Sequence, residues 1–452
     1  MVGMKKSIKS LLLSALLGAT CIGSITACSD TTPFTVSTRE MVLVLDDNAY
    51  KSANIEATGM RISYRSADTS VATVSDNTVT AVGLGYTEIT VAHGKDAEEQ
   101  ATVKVYVMQK NDDLDVTDKT QVNYYGRSFV KENAMCFYNT AAGFDVSFIG
   151  TQLSVDLNVH LNKQMEGVGA LRVYVDGVRG EAVTFSHNEG QAADGDVKYD
   201  DVVLAKDLPQ GIHTVKVVKM TEQGLMTAAL RGVHTDGTFL TPKEKPDLKI
   251  EFYGDSITGG YGNLGANSEY MWDEDSSYTY ATIVAEALDA ETSMISYSGI
   301  PAVLPVQHSH LKMMDVFDKV YLDAPVSMEK YDFTEFDADI VVINLGTNDT
   351  NSPDARFEGV MQAGCKKMIE DIHSVRPDAY IVWIYGMMGK SGTGKYIEQE
   401  IIRAVDECEA AGIKVLYQEV RANNLGVGGH PNMEGHEAAA KTLLQLLRTR
   451  VL

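Results

Sequence analysis

Lys249-Ile250-Glu251-Phe252-Tyr253-Gly254-Asp255-Ser256-Ile257-Thr258-Gly259-Gly260-Tyr261-Gly262 joins a short apolar run to a glycine-rich turn. The bulky residues favour a strand, and Gly254 begins the segment that ends it. A serine at that junction lies at the C-terminal edge of a sheet, where open α/β sheets bind ligands. A hydroxyl placed there becomes a nucleophile when a base reaches it.

From residue 246 onward, apolar runs alternate with helical periods. Strands are expected at 249–254, 292–298, 338–345, 379–386 and 413–418, and helices at 276–288, 309–322, 355–375, 395–411 and 434–449. Strands separated by helices imply a three-layer α/β domain over 246–452, built on a five-stranded parallel sheet.

The residues before it read differently, so the chain is multidomain. Residues 38–108 hold short alternating runs such as Thr87-Glu88-Ile89-Thr90-Val91, spaced by turn residues as in a β-sandwich. Asn111 to Lys119 is polar and reads as a linker. Residues 120–243 alternate again, and Leu171-Arg172-Val173-Tyr174-Val175 runs into Asp176-Gly177, a hairpin turn. A second β-sandwich or jelly roll is expected there.

Residues 1–27 read as an export signal: Lys5, Lys6 and Lys9 precede an apolar run from Leu11 to Ile25 that is too short to span a membrane. The run closes on Ile25-Thr26-Ala27-Cys28, which resembles the bacterial lipobox. That resemblance implies lipidation of Cys28 and a cell-envelope lipoprotein at the outer membrane, periplasmic or surface-exposed. The formal net charge of -23 argues against nucleic acid as a partner. Cys136, Cys365 and Cys408 are too widely spaced for a metal motif and read as buried thiols, so no metal and no cofactor are expected.

Four short blocks carry the chemistry. They are Gly254-Asp255-Ser256, Ser298-Gly299, Gly346-Thr347-Asn348-Asp349 and Gly429-His430-Pro431-Asn432, the first three directly after expected strands. Ser, Gly, Asn and His in this chain order resemble the SGNH, or GDSL, hydrolases. The resemblance implies Ser256 as nucleophile and His430 as base. It also implies an oxyanion hole made by the backbone N–H groups of Ser256 and Gly299 and the side-chain amide of Asn348. Family members commonly place an aspartate three residues before the histidine; Val427 stands there instead. That leaves a Ser256–His430 dyad, with a backbone carbonyl to orient the imidazole. Asp255 reads as a hydrogen-bonder within its own turn, Glu434 as an acid at a helix N-terminus, and His436 as a rival base inside the same helix.

Residues 120–243 add a second resemblance. Leu171-Arg172-Val173-Tyr174-Val175-Asp176-Gly177, Leu208-Pro209-Gln210-Gly211-Ile212-His213-Thr214-Val215 and Lys219-Met220-Thr221-Glu222, followed by Gly254 to Asn263, are similar to carbohydrate esterase family 2, which fuses a jelly roll to an SGNH domain. The implied activity is removal of acetyl groups from plant-type polysaccharides such as acetylated xylan or mannan. Residues 38–108, with Ser66-Ala67-Asp68-Thr69-Ser70-Val71-Ala72-Thr73-Val74 and Gly83-Leu84-Gly85-Tyr86-Thr87, resemble a bacterial Ig-like group 2 domain. A different SGNH esterase, such as a lipase or thioesterase, and a non-catalytic glycan-binding protein are the competing readings.

Two decoys fail. Gly389-Lys390-Ser391-Gly392-Thr393-Gly394-Lys395 is followed by Tyr396 where a P-loop needs Ser or Thr, so no nucleotide is expected. Gly260-Tyr261-Gly262-Asn263-Leu264-Gly265 starts well past its strand, unlike a dinucleotide turn. Of the aromatic residues Tyr261, Trp272 and Trp383, Tyr261 is the best placed to contact a sugar, and Trp383 belongs in the core.

Overall fold

The computed structural model describes residues 33–94, 99–162, 164, 166–186, 196–322 and 329–452. The expected export signal and Cys28 lie outside the described residues.

In the C-terminal domain the strands are β1 (Lys249–Gly254), β2 (Glu291–Ser296), β3 (Ile340–Asn344), β4 (Tyr380–Tyr385) and β5 (Val415–Glu419). They form one sheet in the order β2-β1-β3-β4-β5, with every pair parallel. Helices cover both faces, which is why β3 is buried at all its positions and almost wholly apolar. The helices are α1 (Ser256–Gly259), α2 (Tyr280–Leu288), α3 (Met313–Val316), α4 (Val360–Val375), α5 (Thr393–Ala410) and α6 (Met433–Arg450). Val341, Ile343, Ile381 and Trp383 pack toward α4 and α5. Ile250, Phe252, Val342 and Ile384 pack toward α2 and α6. The expected three layers are therefore present, and the order of strands reverses between β1 and β3 on one side and β1 and β2 on the other, the crevice where such sheets place their ligands.

The helix expected over 309–322 is a correction. Only Met313–Val316 is helical. Leu311, Val316, Phe317, Val320 and Leu322 are buried against the sheet, so their apolar spacing reflects burial of an irregular segment. Pro301 and Pro305 precede it, and the N–H groups of Ala302, Val303 and Leu304 are bonded to the Asp349 carboxylate instead of to a helix.

Two β domains precede this one. In the first, a sheet of Glu40–Val44, Glu99–Met108, Gly85–His93 and Ser63–Ser66 faces a sheet of Ser52–Asn54, Thr78–Ala81 and Ala72–Ser75. Leu43, Val79, Ile89, Val103 and Val105 share one core between them. In the second, Gly143–Gly150, Gly211–Lys219, Gly169–Val175 and Val178–Phe185 lie in one antiparallel sheet, and Ala134–Cys136, Met226–Thr235, Leu153–Leu161 and Val197–Ala205 in another. Phe144, Phe148, Val155, Leu157, Val173 and Val217 fill the space between the two. Asp176 and Gly177 take φ of 51° and 76°, as the expected hairpin requires.

The stretch read as a linker belongs to the second domain. Lys110 and Asn111 pair with Leu240 and Phe239, and Val116 is buried in that domain's core. The three cysteines are free and buried. No helix among the described residues is long and apolar enough to cross a membrane.

Candidate active site

β1 ends at Gly254, and the chain turns at once into the single turn α1, with Ser256 as its first residue. A Cβ on Gly254 would fall 2.0 Å from Thr258 Oγ1, so only glycine allows this turn. Asp255 caps α1, one carboxylate oxygen accepting the Ile257 N–H at 3.0 Å. Its other oxygen accepts from the Asn348 amide at 3.2 Å. Burial pushes Asp255 up to about 7, against the Ile257 N–H that favours its charged form. Asp255 thus serves its own turn, as its position in the sequence suggests, and also the neighbouring loop.

Ser256 is 7 % exposed, and its Oγ lies 2.8 Å from His430 Nε2. His430 follows a tight turn over Val427–Gly429. Gly428 and Gly429 adopt φ of 61° and 78°, which folds the chain back so that Val427 O meets His430 Nδ1 at 3.2 Å. A carbonyl only accepts, so Nδ1 carries the hydrogen and Nε2 presents its lone pair to the serine hydroxyl. The position where an aspartate is missing thus supplies its main chain in place of a side chain. The turn is held by Val427 N–H on Gly262 O at 3.2 Å and Gly426 N–H on His430 O at 2.8 Å. The Tyr261 ring packs against the imidazole with centroids 4.4 Å apart, and Trp272 stands edge-on behind Tyr261 at 5.3 Å. Burial lowers the His430 pKa below its ordinary 6.5, and the carbonyls of Val427 and Gly428 offset this only in part. This shift favours the neutral imidazole, the form a general base needs.

Gly299 follows β2 with φ of 79°, a left-handed conformation that glycine adopts freely. Among the described residues, the N–H groups of Ser256 and Gly299 donate to no other protein group. The Asn348 amide is engaged, donating to Asp255 Oδ2 at 3.2 Å and to Ile300 O at 3.1 Å. Asp349, beside it, is fully buried. Its carboxylate accepts the N–H groups of Ala302, Val303 and Leu304 at 2.7, 3.0 and 2.9 Å, tying the Asn348 loop to the Gly299 loop. In the sequence the only signal for this role of Asp349 is its place next to Asn348.

His436 does not compete as base. It is fully buried, its Nδ1 accepts the Tyr280 N–H at 3.1 Å, and burial lowers its pKa to about 3. It joins α6 to α2. Glu434 lies in the first turn of α6, which Asn432 caps through the Gly435 N–H at 3.0 Å. Trp383 is in the core, its indole N–H bonded to Leu345 O at 3.1 Å. In the P-loop-like segment, Lys390 pairs with Glu398 and, at 2.6 Å, with Glu419. Of the described residues, Asp156, Asp201 and His234 on the second domain gather possible metal-ligand atoms within 4.8 Å of one another. Asp156 and His234 already pair at 3.0 Å, and neither is one of the residues at the site.

The chemistry available is that of a serine hydrolase: a hydroxyl on a bare imidazole nitrogen, with backbone donors free to receive a developing oxyanion. Residues 252–438 match the GDSL-like Lipase/Acylhydrolase family, and residues 124–243 match the carbohydrate esterase 2 N-terminal family. The cellulase/esterase CelE of Acetivibrio thermocellus is 29% identical over 345 residues, which are 74% of this chain and 40% of that protein. The chain therefore spans about two fifths of that relative's length. The acetylxylan esterase / glucomannan deacetylase of Cellvibrio japonicus is 24% identical over 265 residues, 54% of this chain and 71% of the relative. A family two carbohydrate esterase from Clostridium thermocellum, solved in complex with cellohexaose, superposes with a TM-score of 0.62 at 26% identity, covering 73% of this chain and 98–99% of the other. Together these matches support a serine esterase of the SGNH type, related to carbohydrate esterase family 2.

Proposed function

We propose that this chain is a carbohydrate O-acetylesterase that removes acetyl groups from polysaccharides or oligosaccharides of the acetylated xylan or mannan type. The observation that carries the reading is the 2.8 Å contact between Ser256 Oγ and the bare Nε2 of His430, beside two backbone N–H groups that donate to no other group among the described residues. Ser256 Oγ attacks the acetyl carbonyl carbon as its proton passes to Nε2. The carbonyl oxygen becomes an oxyanion on the N–H groups of Ser256 and Gly299. The Asn348 amide joins them by giving up its 3.2 Å contact with Asp255. One such donor is worth about 3–4 kcal/mol. The C–O bond to the sugar then breaks, the sugar oxygen takes the proton from Nε2, and an acetyl-Ser256 ester remains. Water attacks this ester with His430 again as base, releasing acetate and restoring the serine. Tyr261, with Trp272 behind it, gives the sugar an aromatic flank next to the base.

The acetylxylan esterase / glucomannan deacetylase relative and the paired domain matches support an acetylated glycan as the substrate class. Acetate release from acetylated xylan and glucomannan, together with rates on nitrophenyl esters of increasing acyl length, tests it. Acetyl esters are expected to react at least about tenfold faster than octanoyl esters, because each added methylene must find space in the acyl site. Preference for long acyl chains would favour a lipase or thioesterase, and glycan binding without turnover a non-catalytic protein.

In the cell we place the protein on the envelope through lipid at Cys28, at the outer membrane, with the first β domain as an Ig-like spacer. Cys28→Ala is expected to move the protein from the membrane fraction to the soluble fraction, because diacyl anchoring supplies the membrane affinity. Unchanged membrane association would refute the anchor.

A further inference from the structure

The segment 220–225 of the second domain, between the strands Gly211–Lys219 and Met226–Thr235, leaves the sheets and meets the α/β domain. Lys219 O accepts from Ser276 Oγ at 2.6 Å, and Met220 O accepts the Ser276 N–H at 2.8 Å. Gln223 takes the Leu322 N–H at 2.9 Å and donates back to Leu322 O. Between these clamps lies Glu222, with no exposed surface. Its N–H is held by Glu274 Oε1 at 2.6 Å. Its carboxylate oxygen Oε2 accepts the N–H of Ser298 at 2.8 Å. The same oxygen would lie 3.4 Å from a Cβ on Gly259, so it also abuts α1, the turn that begins with Ser256.

We infer that Glu222 is a positioning residue for the oxyanion hole, supplied by the β domain, and that it sets the direction of the Gly299 N–H by holding Ser298. The inference rests on the reading of Ser256 as an ester-attacking nucleophile. The peptide that carries the Gly299 N–H begins at Ser298. On its upstream side Ser298 N–H is bonded to the Glu222 carboxylate. On its downstream side Ala302, Val303 and Leu304 are bonded to the Asp349 carboxylate. The loop is thus strung between two buried acids, one from each domain, while Gly299 itself has the freedom of glycine. An oxyanion donor accelerates a reaction only if it is aimed before the charge develops. A carboxylate accepts a stronger, shorter hydrogen bond than a neutral group does.

The domain contact alone does not call for an acid here. Gln223, Met220 and Ser276 join the two domains with neutral hydrogen bonds, and a fully buried carboxyl is costly unless it is paired. Glu222 shares its pocket with Glu274 and with Lys219. Lys219 Nζ donates to Thr221 O and Met226 O at 2.5 and 2.9 Å. Burial raises both acids, Glu222 to about 7, and lowers Lys219 to about 7; the acids and the lysine each oppose the other's shift.

The test compares Glu222→Ala with Glu222→Gln in the full chain, because the amide oxygen of Gln can still accept from Ser298. Two readouts are taken: kcat and KM on nitrophenyl acetate, and the rate at which a fluorophosphonate modifies Ser256. The second uses the same oxyanion donors whatever the natural substrate is. Glu222→Ala is expected to lose about 30- to 100-fold in kcat and in the labelling rate with KM within about twofold. Glu222→Gln is expected to stay within about fivefold. A folded Glu222→Ala variant that turns over and labels at the wild-type rates overturns the inference. So does an equal loss in both variants. Should Glu222→Ala not fold, amide exchange in the wild-type protein decides. The Ser298 N–H is expected to exchange about 100-fold more slowly than a free loop amide, and exchange at the free rate overturns the inference. A wild type that labels readily but cleaves no acetyl ester refutes the proposed activity instead, and labelling alone then judges Glu222.

Discussion

Ser256→Ala is expected to lower kcat on an acetyl ester by about 10⁴- to 10⁶-fold while leaving the fold intact. The side-chain oxygen makes one described hydrogen bond, to His430, and the turn around it is set by Gly254, Asp255 and Gly260. Removing the oxygen therefore deletes the nucleophile without unpinning the loop. The oxyanion donors remain, because the N–H of residue 256 belongs to the backbone, so substrate affinity should change little. Initial rates measured at high enzyme concentration, with the unfolding midpoint as control, give the result. Residual activity above about one hundredth of wild type would mean that another group attacks the ester, and the dyad would have to be abandoned.

Arg127→Ala should be the most damaging of the changes outside the active site. Arg127 comes from the second domain and is 1 % exposed. Its guanidinium donates to Glu251 Oε1 and Tyr253 OH, both at 2.9 Å, and to Phe317 O at 2.7 Å, and it lies 4.4 Å from the centre of the Tyr331 ring. Glu251, in β1, is fully buried; among the described residues, without Arg127 it keeps Arg376 at 3.4 Å, the Tyr253 hydroxyl at 2.8 Å and the Ser293 hydroxyl at 3.2 Å. Breaking a buried pair from one side costs about 3–5 kcal/mol, read as a shift in the denaturant midpoint.

The pH dependence has a definite sign. Burial raises Glu251, but Arg127 and Arg376 outweigh it and hold the folded-state pKa below its ordinary value. The pair's stabilisation is therefore present above the unfolded pKa of about 4.3 and is lost as pH falls through the folded value. In Arg127→Ala the folded pKa rises, so acid unfolding should begin at a higher pH. A loss below about 1 kcal/mol, the size typical of an exposed ion pair, would show that water reaches the site.

What could be read from the chain follows from where the information resides. The strands β1, β3 and β4 carry a local signature, an apolar run closed by Gly254, Gly346 or Gly386, and all five strands stand close to their expected places. The segment 309–322 carries a helical-looking spacing that burial alone produces, and the carboxylate that takes its preceding N–H groups, Asp349, is distant in sequence. Lys110–Asn111 and Val116 look like a polar linker because their partners, Phe239, Leu240 and Tyr124, lie elsewhere in the chain. The contacts of Arg127 and of Glu222, the latter within the family-like stretch Lys219–Glu222, are hidden for the same reason. Each acts across a domain boundary, where no periodicity or spacing points. The pairing of Ser256 with His430 is legible because their side-chain identities mark them in the sequence, and the structure brings the two to 2.8 Å. The group that orients His430 is a main-chain carbonyl, which has no letter of its own.

That carbonyl changes what can break the base. An aspartate in its place would titrate, and one substitution would remove it. The carbonyl of Val427 does neither: acid leaves it unchanged, and any residue at 427 brings one. What remains exposed to mutation is the bend that aims it, two adjoining glycines at φ of 61° and 78°. An L-residue there is strained by roughly 1–2 kcal/mol, and a Cβ on Gly428 would sit 3.5 Å from Tyr261 and 3.6 Å from His430 Nδ1. The hereditary weak point of this dyad is thus a shape of the chain, not an ionisable group.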